Sequence, residues 1–123
     1  MSEGTGASTV TAATHHNIRR IFAQTVTRLR AEQALAEAEF FARSHLTFLQ
    51  DELGHEDGAL EIPLANLAEL LSAQGKLVAA RAFVRRLTDL RVALYGATHP
   101  SVAQAQRAQS HLDGRSERIE ASK

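Results

Sequence analysis

The sequence predicts an all-α domain, and three observations predict it. Ala, Leu, Arg, Gln and Glu dominate the stretch from Asn17 to Leu112, and all five favour the helix. The apolar–polar alternation of a half-buried strand is absent from that stretch. The chain also repeats itself with a period of 42 residues, a length typical of helical-repeat units. Gly54 and Gly96 lie one period apart, and at the same offset Leu35 meets Leu77, Ala38 meets Ala80, Phe41 meets Phe83 and Arg43 meets Arg85. The correspondence continues on both sides, pairing Val26 with Ala68, Leu29 with Leu71, Leu53 with Tyr95, Leu60 with Val102 and Leu70 with Leu112.

About five helices follow from these signals. The first is predicted from Asn17 to Glu32 and the second from Leu35 to Leu53, where Gly54 supplies the positive φ of a C-cap. A third runs from Leu60 to Ala73 and ends at Gln74-Gly75; Pro63 falls late in it and leaves its start open over several residues. The fourth, Leu77 to Tyr95, ends at Gly96. Thr98 is the expected cap of a fifth helix, with Pro100 in the first turn where a missing N–H costs little, and Gly114 reads as its C-cap. Residues 1–16 are small, polar and without apolar period, and read as a disordered tail; residues 113–123 read as a flexible one. The helical domain is therefore expected over residues 17–112.

Composition bounds what such a domain can do. Its 123 residues, 44% hydrophobic, suit one small domain with a modest core. Fourteen basic and fourteen acidic residues give a formal net charge of zero, which weighs against non-specific binding of nucleic acid or anionic membrane. With no cysteine there is neither a disulfide framework nor a thiolate site. No leader pattern and no run near the roughly 18 apolar residues of a membrane span is present, so a cytoplasmic location is expected. The six histidines, His15, His16, His45, His55, His99 and His111, include no i, i+4 pair and no HExxH. A phosphate-cradling glycine loop, a GxSxG elbow and a paired-carboxylate site are also lacking. The expectation is a non-enzymatic protein without metal or cofactor.

Several residues in the second unit carry a family resemblance. Asn66-Leu67-Ala68, Gln74-Gly75-Lys76, Ala80 and the Gly96…His99-Pro100 close, with Ala38-Glu39 and Leu53-Gly54 in the first unit, resemble the tetratricopeptide repeat in its 42-residue, kinesin-light-chain-like variety. The likeness covers about Ile21 to Leu112. Ala65, Arg81 and Leu87 depart from the pattern, as does the His55-Glu56-Asp57-Gly58 turn. The resemblance implies a right-handed α-solenoid of antiparallel helix pairs, in which small residues (Val26, Ala68, Ala38, Ala80) let paired helices approach closely.

In the resembled family the first helix of each pair lines a concave groove that receives a peptide or a partner's helix. Carried over by the 42-residue offset, the groove residues would be Arg20, Gln24, Thr27 and Arg30 from the first helix, Asn66 and Glu69 from the third, and Arg107 and His111 from the fifth. An asparagine amide can pair with a ligand's backbone, although it can equally bond a neighbouring helix. Arginines at the groove edge would favour acidic segments. The carboxylate clamp of chaperone-adaptor repeats is not reproduced, since only Asn66 fits it.

Charge is segregated despite the zero total. Four arginines and no acid fall between Asn17 and Arg30, nine acids and one base between Glu32 and Glu69, and six bases and one acid between Lys76 and Arg107. Such a layout either steers a partner or marks ordinary solvated faces. Arg81, Arg85 and Arg86 form a small basic stripe, a minor signal for nucleic acid in a neutral protein. Two and a half repeats are marginal in size, so a homodimer is expected. The functional expectation is a protein–protein interaction module, an adaptor or assembly factor. The alternatives are a self-associating structural protein and an accessory subunit of an enzyme complex.

Overall fold

The computed structural model describes the backbone of residues 2–122 and the side chains of those residues apart from 2–13 and 15. Five α-helices succeed one another: α1 Ser2–Ala31, α2 Leu35–Leu53, α3 Glu61–Ala73, α4 Leu77–Tyr95 and α5 Pro100–Ala121, with one 3-10 turn, Gly58–Leu60, before α3. No strand occurs among the described residues, and the packing is chiefly between helices consecutive in sequence.

The repeat read from side chains is also a repeat of backbone geometry. α2 and α4 are each 19 residues long and begin one period apart. Ahead of each stands a residue with positive φ, Gln33 (60°) and Gly75 (76°). The residues that follow, Ala34 and Lys76, have φ/ψ of −84°/67° and −83°/68°. Their N–H groups donate to Leu29 O and Leu71 O, both at 2.9 Å. A left-handed residue there caps the outgoing helix and reverses the chain within a few residues. Each long helix then ends at a positive-φ glycine, Gly54 or Gly96, whose N–H donates to Gln50 O or Val92 O at 2.9 Å.

The core follows the same period. Ala38 and Ala80 have no exposed surface, and Val26, Leu29, Ala68 and Leu71 are buried at matching positions of α1 and α3. The centre is α3, where Leu64, Leu67, Leu70 and Leu71 are almost fully enclosed, with Leu60 just ahead. Each such side chain contributes roughly 1.5–3 kcal/mol of transfer free energy. Pro63, also buried, sits at the third position of α3, within the first turn whose N–H groups have no partner inside the helix. Asp57 accepts from Ala59 N at 2.8 Å and opens the 3-10 turn that leads in, so α3 starts at Glu61 rather than Leu60.

Further boundaries differ from those the sequence predicts. The N-cap of α5 is His99, not Thr98: its Nδ1 accepts from Ser101 N at 3.1 Å, and its ring stacks on Tyr95 with centroids 4.7 Å apart. Gly114 does not end α5, which continues through it to Ala121. The continuation is anchored on both sides of the glycine, Asp113 by Arg81 Nε at 2.8 Å and Arg115 by Ser72 Oγ at 2.6 Å. At the other end α1 begins at Ser2, upstream of the predicted Asn17. The tail expected over residues 1–16 falls largely on side chains outside the described residues.

Polar ties cross the layers as well. Glu39 on α2 accepts from Arg43 Nε at 2.8 Å, Lys76 Nζ at 2.9 Å and Gln74 Nε2 at 3.0 Å, joining α2 to the α3–α4 turn. The Lys76 hydrogen bond, with Arg43 and Gln74 adding to it against the opposing effect of burial, lowers the Glu39 pKa from 4.5 to about 2. Between α2 and α4, Arg43 and Arg86 lie 5.4 and 5.7 Å from the Phe83 ring, and Arg86 also donates to Gln50.

Two stability outcomes are expected. Gly75→Ala should cost about 1 kcal/mol because an added Cβ is strained at that φ, while Gln33→Gly should gain up to about 1 kcal/mol at the matching turn; urea unfolding measures both. Glu39 has a depressed folded pKa, so its stabilisation is complete above 4.5 and is lost as pH falls towards 2. Urea midpoints of the wild type and Glu39→Gln should accordingly differ at neutral pH and converge near pH 2.

Candidate functional site

Side chains on α3 and α5 are too small to close the space between those helices. Ala65 and Ala68 on α3 face a gap bounded on the other side by Ala105 and Ala108 of α5, and Val84 and Leu87 of α4 form its floor. Two adjoining clefts result, of about 320 and 160 Å³, which share Ala68, Glu69, Val84 and Ala108. The larger one reaches Ala73, His111 and Leu112 and is lined almost wholly by apolar atoms. Its size is at the lower end of ligand-accepting pockets, and an apolar lining with a few polar groups at the edge is the usual character of one.

The polar groups at the edge are mostly held by other residues of the chain. Arg91 donates through Nε to Glu61 at 2.9 Å and through Nη1 to Ser101 O at 3.0 Å and Gln104 Oε1 at 3.3 Å. The Tyr95 hydroxyl donates to the other Glu61 oxygen at 2.6 Å, and that hydrogen bond raises the tyrosine pKa above its ordinary value. The closed knot ties α3, α4 and α5 at one end of the groove. At the other end Arg115 donates to Ser72 O at 3.3 Å as well as to its hydroxyl.

The eight residues expected to line a groove are divided by the structure. Glu69 and His111 line the α3–α5 cleft. Asn66 and Arg30 stand next to it: Arg30 Nη1 donates to Asn66 Oδ1 at 3.0 Å, and its other terminal nitrogen pairs with Glu69. Asn66 thus bonds a neighbouring helix through its acceptor, the second of the two roles open to it, while its amide nitrogen keeps its donors. Arg20, Gln24 and Thr27 are exposed on α1, away from the cleft; Thr27 returns its hydroxyl to Ala23 O at 2.9 Å. Arg107 is exposed on α5 and does not line the cleft.

Sequence reasoning missed the alanines and the Val84–Leu87 floor. Small residues on these helices signalled close packing, which holds at Ala38 and Ala80, whereas Ala65, Ala105 and Ala108 leave room instead. The charge segregation also has an internal meaning. Glu39, Glu61 and Glu69 of the acidic stretch pair with Lys76, Arg91 and Arg30 of the basic stretches on either side. The basic stripe is partly consumed in the same way, Arg81 by Asp113 and Arg86 by Gln50. Among the described residues no group of three or more His, Asp or Glu is placed to hold a metal ion, and no helix is long and apolar enough to cross a membrane.

The two polar clusters should differ in strength. Arg91 and Glu61 are 15% and 22% exposed, so Arg91→Ala leaves a shielded carboxylate with the Tyr95 hydroxyl but no cation and should cost about 2–3 kcal/mol in urea unfolding. Arg30 and Glu69 are 38% and 59% exposed, and Arg30→Ala should cost no more than about 1 kcal/mol. In comparisons with known proteins, the chain matches no protein-family model and no curated protein sequence.

Proposed function

We propose that the chain is a non-enzymatic interaction module, a right-handed solenoid of antiparallel helix pairs of the tetratricopeptide type, acting as an adaptor or assembly factor. Its ligand is a segment of a protein or peptide partner laid in the α3–α5 groove. The observation that carries this reading is the unfilled apolar cleft over Val84 and Leu87, bordered by alanines rather than by larger side chains. Water in such a cleft is readily displaced by aliphatic side chains, and the release of apolar surface from water drives the association.

The edge chemistry favours a segment with medium-sized apolar side chains and a polar backbone contact. Asn66 offers donors to that backbone, and the exposed Arg30–Glu69 pair can exchange partners at small cost. Arg20 and Arg107 are exposed outside the cleft, and arginine favours acidic segments.

Stacking of another copy on α5 is disfavoured by the residues there. The buried Leu64, Leu67 and Leu71 of α3 correspond, one period on, to Gln106, Gln109 and Asp113 of α5. A helix that carries polar side chains at these positions, with Asp113 paired to Arg81 of α4, terminates the apolar surface of an array instead of extending it.

Ala108→Phe tests the reading, because Ala108 is exposed at the groove and the larger ring fills the cleft without entering the core. Peptides selected from a random library on the wild type should lose at least about tenfold in affinity, with the helical content and oligomeric state unchanged. Binding unaffected by Ala108→Phe would rule the groove out. Loss of self-association instead would favour the structural-protein alternative.

A further inference from the structure

α1 is seated on α2 through an imidazole whose Nε2 has no polar partner. His45 is 4% exposed, and its Nε2 is buried without a hydrogen bond. The ring stacks on Phe22 of α1 with centroids 5.3 Å apart and planes 11° from parallel, and Phe22 also meets Phe48 of α2 at 6.1 Å. Arg19, three residues before Phe22 on α1, has a buried Nε that likewise lacks a partner.

A neutral imidazole fits this environment as an aromatic ring. A protonated one would bring a second N–H with no acceptor and a positive charge beside the Arg19 guanidinium, both unfavourable in a desolvated setting. Burial, with a smaller contribution from Arg19, lowers the His45 pKa below 6.5.

Among the described residues, the acids of the packed elements are engaged elsewhere or lie away from the ring. Asp57 caps the 3-10 turn, Glu61 on α3 is bonded by Arg91 and Tyr95, and Glu69 is bonded by Arg30. On α2 itself Glu39 is held by Lys76, Arg43 and Gln74, and Glu52 is exposed two turns beyond His45. The other end of α1 is fixed independently, by Val26 and Leu29 in the core and by the hydrogen bond from Arg30 to Asn66 of α3.

We propose that the part of α1 around Arg19 and Phe22 is an acid-sensitive latch, which protonation of His45 releases from α2 while the Val26–Arg30 end stays attached. The sign follows from linkage. The unfolded imidazole binds a proton near pH 6.5 and the docked one does so only at lower pH, so docking is fully stabilised above 6.5 and weakens as pH falls through the lowered value. Arg20 and Gln24 move with the released segment, which makes the surface they present pH-dependent. The inference is independent of what occupies the α3–α5 groove.

The repeat supplies the control substitution. One period after His45 stands Leu87, 6% exposed, so the fold accepts an aliphatic side chain at this position. Hydrogen–deuterium exchange of the full chain is compared at about pH 7.5 and about pH 5, after correction for the chemical exchange rate, for the wild type and His45→Leu. In the wild type, peptides covering residues 17–25 should lose about tenfold in protection at the lower pH, while α3 and α4 keep theirs. In His45→Leu that response should vanish. His45→Phe, which keeps an aromatic ring against Phe22, gives the same test should the leucine variant fail to fold. Unchanged protection of residues 17–25 in the wild type, an acid response that survives both substitutions, or simultaneous loss in every helix would overturn the proposal.

Discussion

The tight turns at Gln33-Ala34 and Gly75-Lys76 are the constraint on which the rest of the fold depends. Each requires one residue at positive φ and one N–H returned to the preceding helix, and these fix where α2 and α4 begin. With the starts fixed, two 19-residue helices end at equivalent glycines, and the small residues Ala38 and Ala80 are brought to the same depth. Neither helix pair could enclose its own apolar face. α3 lies between α2 and α4 and provides the largest enclosed cluster, so the two units share one core instead of having one each.

Within so regular a frame, the positions where the units differ are the informative ones. Leu49 has no exposed surface to speak of, and its counterpart Arg91 uses the same place to bond Glu61, Ser101 and Gln104 and so joins three helices. His45 occupies the position of Leu87 and brings a titratable ring into an otherwise apolar contact. The apolar Leu64, Leu67 and Leu71 of α3 become Gln106, Gln109 and Asp113 on α5. Where the repeat is kept the residue serves the core; where it is broken the new side chain serves a junction, a buried charge-sensitive contact or a polar face of α5.

Electrostatics here acts mainly within the molecule. The acidic middle segment and its basic flanks are far apart in sequence and adjacent in space, because helices one period apart lie close enough for their side chains to pair: Glu39 with Lys76, and Glu69 with Arg30. Part of the charge that could have served as a long-range field is thereby neutralised locally. The α3–α5 cleft, by contrast, is lined mainly by apolar atoms, with Glu69 and His111 among the few polar residues on it.

The amino-acid sequence determined the helical class, the 42-residue period and the bounds of α2 and α4, since all of these follow from local propensity, glycine at positive-φ positions and the spacing of apolar residues. It did not determine the end of α5, because Gly114 breaks a helix only where no distant contact sustains it, and Ser72 and Arg81 sustain this one. Nor could it decide whether an alanine marks contact or vacancy. Ala38 and Ala108 are the same residue type in similar helical surroundings, and only the distance to the next helix makes one a close packing point and the other the wall of a groove. The partners of Asn66, Arg91 and His45 were likewise decided by tertiary structure, because each bond or contact joins residues ten or more positions apart in the chain, beyond the reach of any local pattern.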